Sequence, residues 1–222
     1  AEIDGKAENV TIAGYITDPA EIYRQSFATI RAETDLSRFD AAMAEVVVRM
    51  IHACGMTDLA ADVVVSGDFA TAGQLSLQKG GAVICDVEMV RHGIIKRLLP
   101  ADNPVICVLS DPRVADLASE TGTTRSAAQV ELWDAYLEGA VVVIGNAPTA
   151  LFRLLERIDQ GAPKPAAIIG APVGFVGAVE SKDALVANSR GVPFIAVKGR
   201  RGGSAIAAAA LNGLAAGLEG HG

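Results

Sequence analysis

The sequence predicts an α/β protein in which a doubly wound, mostly parallel sheet carries helices on both faces. Six short runs are almost continuously apolar, helical stretches separate them, and hydrophobic residues make up 50% of the chain. Continuously apolar runs are typical of strands that are buried on both faces. Their alternation with helices favours parallel pairing. An antiparallel strand fits only at an edge of the sheet, near the start of the chain.

The first two helices carry clear end signals. Asp18 as an N-cap and Pro19 at the first helical position predict a helix over Pro19–Glu33. A second helix over Asp40–Cys54 is predicted from apolar residues at three- and four-residue spacing. Gly55 follows it in the position of a C-terminal cap.

The later elements alternate along the chain. The predicted strands are Asp62–Ser66, Ala82–Cys85, Pro104–Leu109, Ala140–Ile144, Ala166–Ile169 and Pro193–Val197. The predicted helices are Phe69–Gln78, Glu88–Ile95, Arg125–Leu137, Thr149–Ile158, Ala178–Asn188 and Ser204–Leu218. We find no internal repeat and no linker long enough to separate domains. We therefore expect residues 1–222 to form a single domain.

The composition narrows the range of functions. The 222 residues include 26 acidic and 19 basic side chains, a net charge of −7, and only 5% aromatic residues, which argues against nucleic-acid binding. The cysteines Cys54, Cys85 and Cys107 form no CxxC pair, and no carboxylate–histidine cluster stands out, so no metal site is indicated. We expect a cytoplasmic protein, because the sequence shows no signal-peptide layout and no apolar run near the roughly 18–20 residues that span a bilayer.

Polar and glycine-rich turns follow the predicted strands. Asp86 follows the second strand, GAPVGFVGA (170–178) follows the fifth, and KGRRGGS (198–204) follows the sixth. Ligands of doubly wound sheets bind beyond the carboxyl ends of the strands, and such turns offer backbone N–H groups to carboxylates or phosphates. The glycine spacing fits neither GxGxxG nor GxxxxGK[ST]. Ordinary strand-to-helix connections are the alternative interpretation of each single turn.

Two helix ends carry candidates for chemistry. His52 lies in the last turn of the second helix, outside its apolar stripe, where the helix C-terminus favours a protonated imidazole. A proton donor and a simple helix cap both fit this position. Arg125 and Ser126 lie at a helix start, where the guanidinium either binds a carboxylate or faces solvent. Ser26, inside the first helix, is by itself a surface serine.

Seven segments together carry a resemblance to a known family. They are IYRQSF (22–27), MIHACGM (50–56), CDVEMVRHGI (85–94), TRS (124–126), GNAPTAL (145–151), GAPVGFVGAVESK (170–182) and GRRGGSAIAAAALN (199–212). In this order, and over nearly the whole chain, they resemble the precorrin-8X methylmutases of corrin biosynthesis. Each segment alone is a weak signal, but the ordered combination is specific.

The resemblance implies a homodimer with a flavodoxin-like, three-layer core and sites near the subunit interface. It also implies an isomerase that moves a methyl group from C-11 to C-12 of precorrin-8X to give hydrogenobyrinate, without a metal or organic cofactor. The family's histidine falls on His52, its substrate-contacting arginine on Arg125 and its substrate-contacting serine on Ser26. The acetate and propionate groups of the macrocycle would explain anion-receptive turns on an acidic protein.

The predicted substrate-binding set is wider than these residues. It also contains Ser126, Asp86, Met89, Gly174, Phe175, Val176 and Gly177. Met89 and Val176 would pack on the macrocycle face, with a core role as the alternative. A non-catalytic corrinoid carrier that hands the product to the next enzyme would use the same residues, so it is an open alternative. An unrelated nucleotide-dependent enzyme is disfavoured by the missing phosphate-binding fingerprints.

Overall fold

The computed structural model describes residues 14–218, which form a six-stranded sheet flanked by helices. The strands are β1 (Val63–Val65), β2 (Val83–Cys85), β3 (Val105–Ile106), β4 (Val141–Ile144), β5 (Ala167–Gly170) and β6 (Phe194–Val197). The longer helices are α1 (Pro19–Glu33), α2 (Ala41–Cys54), α4 (Phe69–Gln78), α6 (Pro112–Thr121), α9 (Pro148–Asp159), α10 (Ala178–Ala187) and α11 (Ser204–Ala216). The short helices are α3 (Leu59–Asp62), α5 (Glu88–Gly93), α7 (Arg125–Ala128) and α8 (Asp134–Leu137), with 3₁₀ turns at Lys96–Leu98 and Gln129–Leu132.

The sheet has the strand order β1-β6-β5-β4-β2-β3. All neighbouring strands are parallel except β1, which pairs antiparallel with β6 through Val63 and Val197. The predicted fold class and the antiparallel edge near the start are therefore confirmed. The chain leaves β2 toward β3 on one side and returns to β4 on the other, so a topological switch point lies between β2 and β4.

Both faces of the sheet are buried, which explains why the strands are almost continuously apolar. In β2, Val83 and Cys85 belong to a core shared with α2, α4, α5 and α11, whereas Ile84 points into a second core with α9 and α10. Trp133 is fully buried in that second core. The result is a three-layer arrangement with the sheet in the middle.

The predicted caps Asp18 and Gly55 are confirmed, and Asp40, predicted as the first residue of the second helix, is its N-cap. The Asp18 carboxylate accepts a hydrogen bond from the Ala20 backbone N–H (3.1 Å), and Asp40 caps α2 in the same way at Met43 (2.8 Å). Gly55 ends α2 in the left-handed region with a φ of 70°, a conformation that glycine adopts without steric cost.

Two predicted elements differ from the structure, and one of the longer helices was missed. The strand predicted over Pro104–Leu109 pairs with β2 only at Val105 and Ile106, because the chain then turns, with the Asp111 N–H donating to the Val108 carbonyl. Helix α6 was not predicted. The helix predicted over Arg125–Leu137 is instead α7, a 3₁₀ turn and α8 in succession. Within residues 14–218 no helix combines the length and apolar character needed to cross a bilayer.

Candidate active site

His52 and Ser26 line one groove between the first two helices. The groove has a volume of about 460 Å³, and Ile22 and Thr29 of α1 face Ile51 of α2 across it. The two helices pack side by side, which brings Ser26 of α1 to the same opening as His52 of α2. The structure thus places together two residues that lie 26 positions apart in the sequence.

A second cavity lies beside the same imidazole. It has a volume of about 250 Å³ and is lined by His52 together with Tyr23, Arg49, Gly93 and Ala205. The His52 ring is 5.3 Å, centroid to centroid, from Tyr23 and from Phe27. No hydrogen bond or ion pair within residues 14–218 engages the imidazole, so its nitrogens are available to a ligand in either cavity.

Arg49 and Tyr23 were missed by the sequence analysis. The Arg49 guanidinium carbon lies 5.5 Å from the Phe27 ring centroid, on the second cavity beside His52. Tyr23 is half exposed and lies in the predicted helix α1. The available signal was the three-residue spacing between Arg49 and His52, which places both on one face of a helix.

Asp86 holds the loop at the switch point. Its Oδ1 accepts from the Gly145 N–H (2.9 Å), and its Oδ2 accepts from the N–H groups of Asn146 (2.9 Å) and Ala147 (2.8 Å). The side chain of Gln129 donates to the Asp86 carbonyl at 2.8 Å. Burial raises the pKa of the Asp86 carboxyl, and the three backbone donors oppose that shift by stabilising its ionised form. The structure therefore gives Asp86 a positioning role, not the direct ligand contact expected from the sequence.

The loop between β5 and α10 is exposed at the carboxyl edge of the sheet. Phe175 and Val176 have exposed fractions of 85% and 89%, and Met89 of α5 is also exposed, at 75%. Gly177 has a φ of 78°, and a Cβ there would lie 3.3 Å from Pro148 at the start of α9. The exposed side chains of Phe175, Val176 and Met89 are therefore not core residues. They are free to contact a ligand or another protein surface.

Arg125 and Ser126 start helix α7 at the same edge. Thr124 caps this helix by accepting from the Ala127 N–H (3.1 Å), and its hydroxyl lies 2.8 Å from that of Thr149 at the start of α9. The Arg125 guanidinium donates to the Leu109 carbonyl oxygen at 3.1 Å and is exposed. One NH₂ group of the guanidinium is therefore held by the backbone after β3. Its other N–H groups are open to an anion.

The predicted site residues thus fall into two groups. His52 and Ser26 lie on the α1–α2 layer, whereas the others lie at the carboxyl edge of the sheet. The loop between β6 and α11 touches both groups, because Arg201 pairs with Asp58 just after α2 and the Gly174 N–H donates to the Arg200 carbonyl (3.2 Å).

The cysteines offer no nucleophile at neutral pH. Burial raises the pKa of Cys107 to about 11 and also raises the pKa of Cys54 and Cys85. Their thiols therefore stay protonated. Among residues 14–218 no group of three or more His, Cys, Asp or Glu side chains is arranged to hold a metal ion.

An open imidazole, exposed guanidinium groups and glycine-rich turns around cavities of a doubly wound sheet are typical of an enzyme that acts on a small anionic molecule. Comparison with known proteins identifies the family. Residues 21–216 match the family model described as precorrin-8X methylmutase. The chain belongs to this family, and it is an intramolecular methyl-transferring isomerase of cobalamin biosynthesis.

Relatives in two groups support this assignment. A protein from Sinorhizobium sp, named precorrin-8X methylmutase, is 59% identical over 201 residues, covering 90% of this chain and 96% of its own. A protein of the same name from Pseudomonas aeruginosa is 58% identical, covering 90% and 97%. A protein from Methanothermobacter thermautotrophicus, named cobalt-precorrin-8 methylmutase, is 36% identical, covering 88% and 92%.

A solved structure confirms the fold. The crystal structure of the precorrin-8X methylmutase from Thermus thermophilus superposes with a TM-score of 0.80 at 37% identity, covering 88% of this chain and 94% of that one. The likeness includes nearly the whole of the described fold.

Proposed function

We propose that this protein moves the methyl group at C-11 of precorrin-8X to C-12, giving hydrogenobyrinate. The observation that carries the proposal is His52, an exposed imidazole between two cavities that has no hydrogen-bond partner within residues 14–218. Substrate and product of a methyl shift have the same composition. The protein needs only to bind the ring, orient it and supply a proton or hydrogen bond.

His52 is proposed to protonate, or to hydrogen-bond, a ring nitrogen near the migration site. This interaction draws electron density from the conjugated system where the methyl group must arrive, so the C–C bond at C-11 breaks as the bond at C-12 forms in a sigmatropic shift. The proton returns to the imidazole when the product leaves, so no co-reactant is consumed. General acid catalysis of this kind contributes about 10²- to 10⁴-fold in rate.

The remaining predicted residues, apart from the buried Asp86, are proposed to bind the macrocycle and its carboxylates. Arg125 presents a partly free guanidinium fork, and Ser26 offers a hydroxyl in the same groove as His52. Met89 and Val176 supply exposed apolar surface for the macrocycle face. We also propose a metal-free substrate, because the relatives at 58–59% identity are named for precorrin-8X and the relative at 36% for cobalt-precorrin-8.

We further propose that the protein works in the cytoplasm as a homodimer, as the resemblance implies. Two chains of 22.8 kDa would sediment as a single species of twice that mass. Sedimentation equilibrium at micromolar protein measures this directly. A single species of one chain's mass would contradict the dimer without affecting the proposed reaction.

The test of the reaction is a His52→Ala variant followed by visible absorption with metal-free precorrin-8X in large excess. We expect wild-type protein to convert many equivalents to hydrogenobyrinate and the variant to lose turnover by about 10²-fold or more while it still binds the product. His92→Ala is the matched control, since His92 is exposed on α5 and lies near Glu88 outside both cavities.

Two outcomes would contradict the proposal in different ways. Turnover by His52→Ala at the wild-type rate would exclude the proton-donor role. A wild-type spectrum that stops changing after one equivalent of precorrin-8X per protein would show binding without turnover. It would favour the alternative of a corrinoid carrier, which binds the product without making it.

A further inference from the structure

The loop between β6 and α11 carries two consecutive arginines with opposite surroundings. Arg201 is neutralised by two carboxylates, those of Asp58 and of Asp62 (3.4 Å). Arg200 is exposed, and no ion pair or hydrogen bond within residues 14–218 engages its guanidinium. Arg201 therefore stabilises the fold through ion pairs, whereas Arg200 faces the solvent.

The backbone beneath Arg200 is held firmly. The Gly203 N–H donates to the Ala171 carbonyl (2.9 Å), and the Gly174 N–H donates to the carbonyl of Arg200 itself (3.2 Å). The buried ammonium of Lys182 donates to the Arg201 carbonyl at 2.6 Å. Gly202 passes so close to residue 171 that a Cβ there would lie 2.2 Å from the Ala171 carbonyl oxygen. This packing fixes the point from which the Arg200 side chain projects.

The side chain of Arg200 makes a cation–π contact. Its guanidinium carbon lies 5.1 Å from the ring centroid of Phe175, in the loop between β5 and α10. A guanidinium on an aromatic face keeps its in-plane N–H groups free. This contact restricts where the guanidinium lies and so lowers the conformational entropy that binding an anion would cost.

The Arg200 guanidinium lies beside the carboxyl-edge group of site residues, and the helix that follows its loop reaches the cavity of His52. Phe175 belongs to the carboxyl-edge group, and Ala205, five residues beyond Arg200, lines the cavity that contains His52. We propose that Arg200 is a specificity-determining residue that binds a side-chain carboxylate of the macrocycle, with Phe175 holding the guanidinium in position. This inference rests on the proposed function, because it takes the corrin precursor as the ligand.

The experiment compares Arg200→Gln with wild-type protein in two measurements. Steady-state turnover of precorrin-8X gives KM and kcat, and titration with hydrogenobyrinate, followed by its visible spectrum, gives Kd. We expect KM and Kd to rise about 10- to 100-fold, because a charge-assisted bidentate pair is lost. We expect kcat to change less than about twofold, since the carboxylate takes no part in the methyl shift.

Controls separate binding from structure and from net charge. Arg200→Gln should unfold at the wild-type temperature, since the guanidinium is exposed and makes no hydrogen bond or ion pair with residues 14–218. Arg113→Gln removes an exposed arginine whose only ion-pair partner within residues 14–218 is Asp111, and we expect it to leave KM unchanged. Arg200→Lys should recover only part of the affinity, because an ammonium lacks the planar fork.

Each result decides the inference. Unchanged KM and Kd in Arg200→Gln would overturn it, as would a lowered unfolding temperature that accounts for the loss. A fall in kcat alone would also overturn it and would assign Arg200 to the chemical step. If wild-type protein binds hydrogenobyrinate without turnover, the proposed reaction fails but Kd still tests Arg200. If wild-type protein neither converts nor binds, both proposals fail.

Discussion

Lys182 of α10 is a lysine with an exposed fraction of 0%. Burial lowers the pKa of its ammonium group from 10.5 to about 8. Between these two values the unfolded chain holds more protons than the folded one, so the free energy of unfolding rises with pH; below pH 8 both states are protonated and the full cost of burial is present. We expect Lys182→Met to remove this rise, which amounts to about 3 kcal/mol over the whole range and to about 2 kcal/mol between about pH 7.5 and about pH 9.5.

Urea unfolding at about pH 7.5 and about pH 9.5 measures the effect. The quantity to compare is the difference in unfolding free energy between wild type and variant at each pH. Lys164→Met is the matched control, because Lys164 also donates to a backbone carbonyl, that of Arg190 (2.6 Å), but is exposed. Equal pH dependence in Lys182→Met and wild type would contradict the assignment.

At the residue scale, the sequence could predict candidates that one element defines. His52 stands out because the spacing of a single helix separates it from the apolar stripe. Arg49 shares the helix face of His52, so the same spacing could have found it. Tyr23 and Arg200 could not be found in this way, since their importance depends on how α1, α2 and the β6–α11 loop pack together. Asp86 was found, but its buried carboxylate and three backbone donors could not be foreseen from the chain alone.

At the scale of an element, helix α11 depends on the close approach of its backbone to α2. Nine of its thirteen residues are buried, and it packs on α2. A Cβ added at Gly213 would lie 2.8 Å from the Cα of Val46, which is backbone and cannot move aside. We expect Gly213→Ala to lower the free energy of unfolding by about 1–2 kcal/mol, after the gain in helix propensity is subtracted from the overpacking cost.

Chemical denaturation followed by circular dichroism measures this loss, and Gly217→Ala is the control. A Cβ at Gly217, just after the helix, would meet the side-chain amide of Gln74, which can move aside at the cost of one hydrogen bond to the Leu214 carbonyl (3.2 Å). We therefore expect a smaller change there. Equal effects at the two glycines would show that the α2–α11 contact is not the tight one.

Two elements show where the sequence prediction failed. Helix α6 has an N-cap at Asp111 and a proline at its first position, the same signals that predict α1, but it is short and only Val114 is buried. The stretch from Arg125 to Leu137 has enough apolar residues for one helix. It forms α7, a 3₁₀ turn and α8 instead, with Val130 and Trp133 both buried in the core shared with α9.

At the scale of the whole molecule, the sequence could predict the class of the sheet but not its strand order. The buried strands have interchangeable apolar patterns, so the order β1-β6-β5-β4-β2-β3 is decided by which crossovers pack best. That order determines which turns become neighbours. It brings the turn after β2 beside the turn after β4, and it leaves the α1–α2 layer to supply His52 from outside the sheet.

Asp86 allows a test of how the site depends on this strand order. Its carboxylate joins the end of β2 to the three N–H groups that follow β4, so the switch point is held by one buried side chain. Asp86→Asn would set an NH₂ group against one or two of these donors, and we expect the free energy of unfolding to fall by about 2–3 kcal/mol. The loop before α9 would also shift, so kcat/KM for precorrin-8X should fall more than the population of folded protein does. Urea unfolding and turnover of the same sample measure both effects.

Asp116→Asn is the control, at an exposed position of α6, and it should change neither stability nor activity. An Asp86→Asn enzyme of full stability and activity would show that the switch point is held by packing alone.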